Sequence, residues 1–254
     1  MPGLTPACTE DRLLDGRVTL RQPALGYRVA IDPILLAAAV PARAGEHVLD
    51  LGAGVGAAML CLAWRVPDCR VVGLELQPEL VTLAEANIRA NDKVGRAAVL
   101  AGDFTAVDAN PDAEQLAPGR FDHVMTNPPH LAPGRGVAPP DLAKALAHVE
   151  GAGDLDAWLD FCLARLRPKG SVTMIHRADR LDALLAGLHG RAGAIVVFPL
   201  WPRAGVAAKR VIVRARKGVA TPVRLVPGLV LHGTDGAYTP AAEAVLRGGR
   251  ALAL

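Results

Sequence analysis

Val48-Leu49-Asp50-Leu51-Gly52-Ala53-Gly54-Val55-Gly56 is the stretch on which the fold turns. An apolar run that reads as a buried strand passes into a glycine-rich turn, and Ala57–Arg65 then continues as a helix. Glycines in such a turn permit positive φ and close approach of backbone to a ligand. In open α/β sheets ligands lie at the carboxyl ends of the strands, which is where this turn falls. Outward from it the pattern repeats. Arg70–Glu75 reads as a strand, Glu79–Asn91 as a helix with Leu80, Leu83, Ala84 and Asn87 at helical spacing, Ala97–Leu100 as a third strand and Phe121–Thr126 as a fourth. Asp154–Leu166 is a helix with Trp158, Phe161, Cys162 and Arg165 along one side. A turn at Pro168-Lys169-Gly170 leads into a strand at Ser171–His176, followed by a helix at Leu181–Leu188 and strands at Ala194–Leu200 and Lys209–Ala215.

Strands alternating with helices of this length predict an α/β fold with a doubly wound, mostly parallel sheet of seven strands. The last two strands are joined only by Trp201–Ala208, so they are expected to pair antiparallel at the sheet edge. Upstream, Leu13–Leu20 reads as a hairpin around Asp15-Gly16, and Asp32-Pro33 opens a helix to Val40 with Asp32 as N-cap. No linker or internal repeat interrupts the chain. The expectation is one domain over 1–254, with a hairpin-and-helix cap at 1–45, a ligand-binding core at 46–216 and an extension at 217–254.

The 254 residues are 51% hydrophobic and 21% charged, which suits one large globular domain and excludes a disordered chain. Apolar stretches such as Ile34–Val40 are too short to cross a bilayer, and Met1–Pro6 lacks the plan of a signal peptide; a soluble, cytoplasmic protein is expected. Cys8, Cys61, Cys69 and Cys162 show no metal-ligand spacing, so no metal is expected, and Cys61 and Cys162 fit as small core residues. A net charge of +3 says little about partners. Its distribution says more. Between Asp182 and Asp235 there is no acid, while Arg191, Arg203, Lys209, Arg210, Arg214, Arg216, Lys217 and Arg224 all fall there. Such a run either tracks a phosphate backbone or forms solvated strand edges.

Gly52-x-Gly54-x-x-Ala57 also satisfies the dinucleotide fingerprint, and glycines can simply make a tight turn. Asp50, just before the first glycine, would repel a pyrophosphate and welcome a cationic ligand, and no second glycine loop or hydride-transfer set follows. S-adenosylmethionine, with a sulfonium, an ammonium and no phosphate, fits that charge pattern better. Glu75 ends the second strand, where a carboxylate accepts ribose hydroxyls, and Asp103 follows the third within Ala101-Gly102-Asp103-Phe104. The fourth strand ends in Asn127-Pro128-Pro129-His130. Two prolines offer no backbone N–H to the sheet and force an extended, rigid turn, which either stops the strand or fixes the Asn127 amide for gripping a planar amine.

The ordered set Asp50-x-Gly52-x-Gly54, Glu75, Asp103 and Asn127-Pro128-Pro129 resembles the Rossmann-like class I S-adenosylmethionine methyltransferases that act on exocyclic or amide nitrogens. By that resemblance Asp50, Gly52 and Gly54 line the methionine portion, Glu75 holds the ribose, Asp103 with Phe104 neighbours the adenine, and Leu76 is a further cofactor-binding residue. Asn127 and Pro128 are then the catalytic pair, with Pro129 and His130 against the substrate. The flanks Gly26–Leu36, Ala147–Glu150 and Leu231–Pro240 look most like the bacterial tRNA1(Val) adenine-37 N6-methyltransferase family, whose substrate is RNA. Within those flanks Asp32 is either a helix cap or a site residue, and His148 and Glu150 fit a helix surface. One position departs: that family's proline motif ends in Tyr or Phe, which stacks on the base, and here it ends in His130, a smaller and weaker platform.

Transfer to an adenine N6 in tRNA is the activity this implies. Transfer to a protein glutamine amide or to ribosomal RNA is an alternative, although the glutamine enzymes typically carry a helical N-terminal domain for which the stretch before Glu46 is too short. A nicotinamide-dependent oxidoreductase and an inactive RNA-binding protein are the readings from other classes. Oligomeric state is not legible.

Overall fold

The computed structural model of the chain describes residues 8–25, 28–128 and 155–254. The hairpin is made by β1 (Cys8–Leu13) and β2 (Val18–Pro23), paired antiparallel. Helix α1 (Asp32–Ala39) follows, and then β3 (His47–Leu51), α2 (Ala57–Arg65), β4 (Arg70–Glu75), α3 (Pro78–Ala90), β5 (Ala97–Ala101) and β6 (Phe121–Thr126). After the undescribed stretch come α4 (Leu155–Arg165), β7 (Leu166–Arg177), α5 (Leu181–Leu188), β8 (Ala192–Trp201), β9 (Arg210–Lys217), β10 (Arg224–Leu225), β11 (Leu229–Val230) and α6 (Pro240–Leu246).

The main sheet runs β10-β8-β9-β7-β6-β3-β4-β5, with β11 also on β8. From β3 the chain winds outward through β4 to β5, then returns to β6 on the other side of β3, so the order reverses between β3 and β6. Strand β3 is buried on both faces: Val48 joins the core with α1 and α2, while Leu49 and Leu51 join the core with α4 and α5. That is why its sequence is nearly continuous in apolar residues. Among the described residues the main sheet has seven strands of five residues or more, and the hairpin β8–β9 pairs antiparallel.

Three details differ from expectation. The antiparallel strand β9 is not at the border but between β7 and β8, because β7 pairs with β9 and β8 is then covered by β10 and β11. Those two strands span two residues each, too short to carry a periodic signal. Asp32 is not the cap of α1: Ile31 holds the N-cap position, and the Asp32 carboxylate accepts from Arg210 at 3.1 Å. Strand β7 also starts earlier than Ser171, with a register shift against β6. Gly170 is required there, since a Cβ would lie 2.8 Å from the Asp122 carbonyl oxygen.

The outer pieces are tied in by buried amides and caps. Asn87 of α3, fully buried, donates to the carbonyls of Arg21 and Val55 and accepts from the Arg21 N–H, so one side chain joins the hairpin to the glycine turn. Thr239 caps α6, accepting from the Ala242 N–H ahead of Pro240. Beyond α6 the chain returns to α1, where the Leu252 N–H donates to Ala38 at 2.8 Å. Cys61 and Cys162 are buried as expected. Among the described residues no helix is long and apolar enough to cross a membrane.

Candidate active site

The site lies at the reversal point, where the carboxyl ends of β3, β4 and β6 meet. After Leu51 the chain turns through Gly52, Gly54 and Gly56, all with positive φ (74°, 56° and 86°). The N–H groups of Gly52 and Ala53 donate to the Leu74 carbonyl at 2.9 and 3.1 Å, folding the turn back over β4. A Cβ on Gly54 would meet nothing within 4 Å, so the turn faces open space there, whereas one on Gly52 would press on the Trp158 ring at 3.3 Å.

Glu75, at the end of β4, is buried below this turn. Its carboxylate accepts from the Gly54 N–H at 2.8 Å and the Gln77 N–H at 2.9 Å. Burial raises its pKa, and the amides of Gln77, Gly54 and Leu76 oppose that rise. Each oxygen keeps a lone pair for a further donor. Asp50 is buried more deeply, and one of its oxygens has no hydrogen-bond partner among the described residues. Burial pushes its pKa up to about 7, against the Met59 backbone N–H and with the charge of Glu75 adding to the rise. Two buried carboxylates side by side, one of them short of a partner, form a bed for a cation and not for a phosphate.

Asn127 stands next to this bed, because Thr126 pairs with Leu51 and Asn127 therefore lies beside Gly52, about 5 Å away across the sheet. Its Oδ1 is buried with no hydrogen-bond partner among the described residues, and Pro128 behind it is buried too. Asp103, after β5, caps a short 3-10 turn by accepting from the N–H and hydroxyl of Thr105, both at 2.8 Å. Phe104 then packs edge-on against Trp158, ring centroids 4.7 Å apart. Asp50, Gly52, Gly54, Glu75, Leu76, Asp103, Phe104, Asn127 and Pro128 thus all line one edge of the sheet. Pro129, His130, His148 and Glu150 lie outside the described residues.

Trp158 is the residue that helical periodicity left in the core. Its Nε1–H donates to the Thr126 hydroxyl at 2.8 Å, and that hydroxyl donates to the Leu51 carbonyl at 2.7 Å. The same indole supports Gly52 and Phe104, so one side chain touches the carboxyl ends of β3, β5 and β6. The lone polar atom of a tryptophan on a buried helix side was the only hint, since a buried indole N–H needs an acceptor.

The basic stretch 191–224 does not form one free face. Arg191 pairs with Asp160, Arg210 with Asp32, and Arg214, Arg216 and Lys217 donate to the carbonyls of Leu254, Lys169 and Leu166. Five of the eight bases are therefore engaged within the fold.

The profile of the methyltransferase small domain family matches residues 29–156. The tRNA1(Val) (adenine(37)-N6)-methyltransferase of Aeromonas hydrophila is 31% identical over 219 residues, 84% of this chain and 85% of that protein. The protein of the same name from Porphyromonas gingivalis is 31% identical over 172 residues, 66% of each chain. Among solved structures, a predicted O-methyltransferase from Agrobacterium tumefaciens superposes with a TM-score of 0.72 at 26% identity, covering 87% of this chain and 98% of the other. A Thermus thermophilus 16S rRNA N2 G1207 methyltransferase in complex with S-adenosylmethionine and guanosine shares the fold, with a TM-score of 0.55 at 24% identity over 83% of this chain and 50% of the other. The chain belongs to the methyltransferase small domain family, with the tRNA1(Val) (adenine(37)-N6)-methyltransferases as its relatives, and is an S-adenosylmethionine-dependent methyltransferase.

Proposed function

We propose that the chain methylates the exocyclic N6 amino group of an adenine in tRNA. The observation that carries this reading is the Asn127 Oδ1, a buried acceptor without a partner, next to the glycine turn. An unpaired buried acceptor costs about 1–3 kcal/mol and calls for a donor from outside the fold. An amine brings two N–H donors, enough for the Asn127 Oδ1 and the Pro128 carbonyl together, whereas an alcohol or thiol brings one, so the site favours nitrogen. The names of the curated relatives direct the reading to adenine and tRNA.

S-adenosylmethionine supplies an electrophilic methyl on a sulfonium when bound. Asp50, the backbone at Gly52 and the open backbone at Gly54 hold its methionine part, Glu75 and Leu76 its ribose, and Asp103 with Phe104 its adenine. The target amine donates its two N–H bonds to the Asn127 Oδ1 and the Pro128 carbonyl. That draws the lone pair out of the ring and aims it across the gap, so that catalysis rests on orientation and fixed dipoles without a covalent intermediate. The rigid Pro128-Pro129 turn keeps both acceptors in place. Pro129 and His130 are assigned to the substrate. An adenine is reached most readily in a single-stranded loop, where it leaves its stack at little cost. The whole chain acts as one methyltransferase unit, cap 1–45, core 46–216 and extension 217–254, and a tRNA substrate places it in the cytoplasm.

The test is transfer of labelled methyl to total bacterial tRNA and, separately, to protein, followed by nucleoside mass spectrometry. N6-methyladenosine is the expected product, and Asn127→Ala is expected to lose about a thousandfold in rate or more while still binding S-adenosylhomocysteine. Labelled protein without labelled RNA overturns the reading.

A further inference from the structure

Two stretches far apart in the chain, Ile31–Leu35 and Leu231–His232, have no part in the methyl-transfer site, yet they face each other across a cavity of about 260 Å³. Its other walls are the end of β8 and the start of β9. We propose that this cavity takes one nucleotide of the RNA flanking the target, base inward and phosphate at the rim. The proposal rests on the RNA reading above and adds a second contact to it.

Position comes first. Thr126 pairs with Met174, Met174 with Val213, and Arg210 pairs with Arg177, three residues beyond that row. The cavity therefore opens at the same edge of the sheet as Asn127, about 10 Å to the side across two strand spacings and about 10 Å further forward. A few splayed nucleotides span that distance, as single-stranded loops do when their bases are turned out.

The lining has the chemistry of a base pocket. Leu200 and Leu231 give an apolar floor for a ring face. Asp32 and Arg210 stand at its edge as a mostly buried ion pair, side chains 17% and 34% exposed, which offers both an acceptor and donors to a base edge. The ring of His232 is stacked on Tyr238 with centroids 4.6 Å apart and planes 21° apart, and its Nδ1 lies 3.1 Å from the Gly236 carbonyl. A carbonyl only accepts, so Nδ1 carries the hydrogen. The imidazole is thereby locked in rotation and backed by a second ring, a preformed stacking surface of the kind single-stranded nucleic acid uses. Lys209 stands at the rim, and Arg203, from the loop between β8 and β9, reaches to within 4.0 Å of where a Cβ on Gly236 would be. Around the mouth the three cations Lys209, Arg203 and Arg210 stand with two carboxylates, Asp32 paired to Arg210 and Asp235 accepting from the Ala237 N–H, which leaves a net positive charge complementary to a phosphate.

The experiment crosslinks the full chain to total bacterial tRNA with ultraviolet light and maps the modified peptides by mass spectrometry. It is combined with steady-state methylation by His232→Ala and Lys209→Ala. Expected are crosslinks within 229–240, a KM for tRNA raised about tenfold by His232→Ala, and unchanged affinity for S-adenosylhomocysteine. Lys209→Ala should reduce the slope of log affinity for tRNA against log salt by about one. Wild-type protein that methylates tRNA but crosslinks only elsewhere, with both variants at wild-type KM, removes this subsite and leaves the activity standing. Wild-type protein that methylates no RNA removes both.

Discussion

The two ends of the same central strands bury polar side chains in opposite ways. At the amino edge Asp122 accepts from the His47 N–H at 2.7 Å and pairs with Arg167 at 2.5 Å. Next to it His123 meets the Ser171 hydroxyl at 2.8 Å through Nδ1 and Glu46 at 3.0 Å through Nε2. Glu46 also accepts from the Arg43 N–H. Carboxylate Glu46 accepts only, so Nε2 carries the proton, and burial lowers the His123 pKa against the pull of Glu46. At the carboxyl edge, Asp50 three residues beyond His47 and Asn127 four beyond His123 each bury an oxygen with no partner among the described residues. Burial costs both edges the same kind of free energy. One edge offsets it with partners and stabilises the fold. The other leaves it outstanding, to be offset by whatever binds.

If that contrast holds, the two edges answer differently to truncation. Asp122→Ala strands the His47 N–H and the Arg167 guanidinium, and is expected to lower stability by about 2–3 kcal/mol in urea denaturation. Asn127→Ala removes an unsatisfied acceptor worth about 1–3 kcal/mol, so its stability in urea should be no lower than wild type, the gain being reduced by lost packing, while transfer is lost. A large loss of stability in Asn127→Ala would break the comparison, because the Oδ1 would then be paired within the fold.

A second, smaller effect sharpens it through pH. Asp50 titrates at about 7 in the fold, above its ordinary value of 3.8. A carboxyl raised in this way makes the folded state hold a proton the unfolded chain has lost, so the fold becomes less stable as pH rises from about 4 to 7. A cationic ligand acts in the opposite sense, since it prefers the ionised form. Affinity for S-adenosylhomocysteine, through its ammonium, should therefore rise about tenfold between about pH 6 and pH 8 and then level off. Asp50→Asn should bind more weakly at high pH and show a flat profile by calorimetry. A wild-type profile retained in Asp50→Asn would assign the titration to another group.

Much of this architecture can be read from the chain, and the parts that cannot have a common cause. Val48–Gly56, the strand at Arg70–Glu75 and the helix at Leu181–Leu188 carry local signals, so periodicity and turn chemistry suffice for them. Their grouping at one edge follows from strand alternation and right-handed crossovers. What escapes is set by partners distant in sequence. Asp32 looks like a helix cap until Arg210 is brought to it from 178 residues away. The charge run 191–224 looks like a single face until the hairpin sends its bases to separate acceptors 40, 47 and 51 residues away. Asp122 and His123 interrupt an apolar strand, and nothing local announces that Arg167, Ser171 and Glu46 will meet them.

Trp158 belongs to this second group and gives the finest test of the contrast. It is core by burial, yet its indole N–H reaches the carboxyl edge through Thr126. Trp158→Phe keeps an aromatic ring against Phe104 and removes only the N–H and part of the surface under Gly52. Lost hydrogen bonding of this kind costs about 1 kcal/mol, which is about fivefold in a rate if it falls on the positioning of Asn127. If the indole sets the angle at which the Asn127 turn leaves β6, kcat should fall by about that factor while affinity for S-adenosylhomocysteine and KM for tRNA hold. A core role alone moves the urea midpoint and leaves kcat untouched. The ratio of the two losses therefore says to which edge's logic this residue belongs: a satisfied bond that stabilises the fold, or one that aims an unsatisfied neighbour at its substrate.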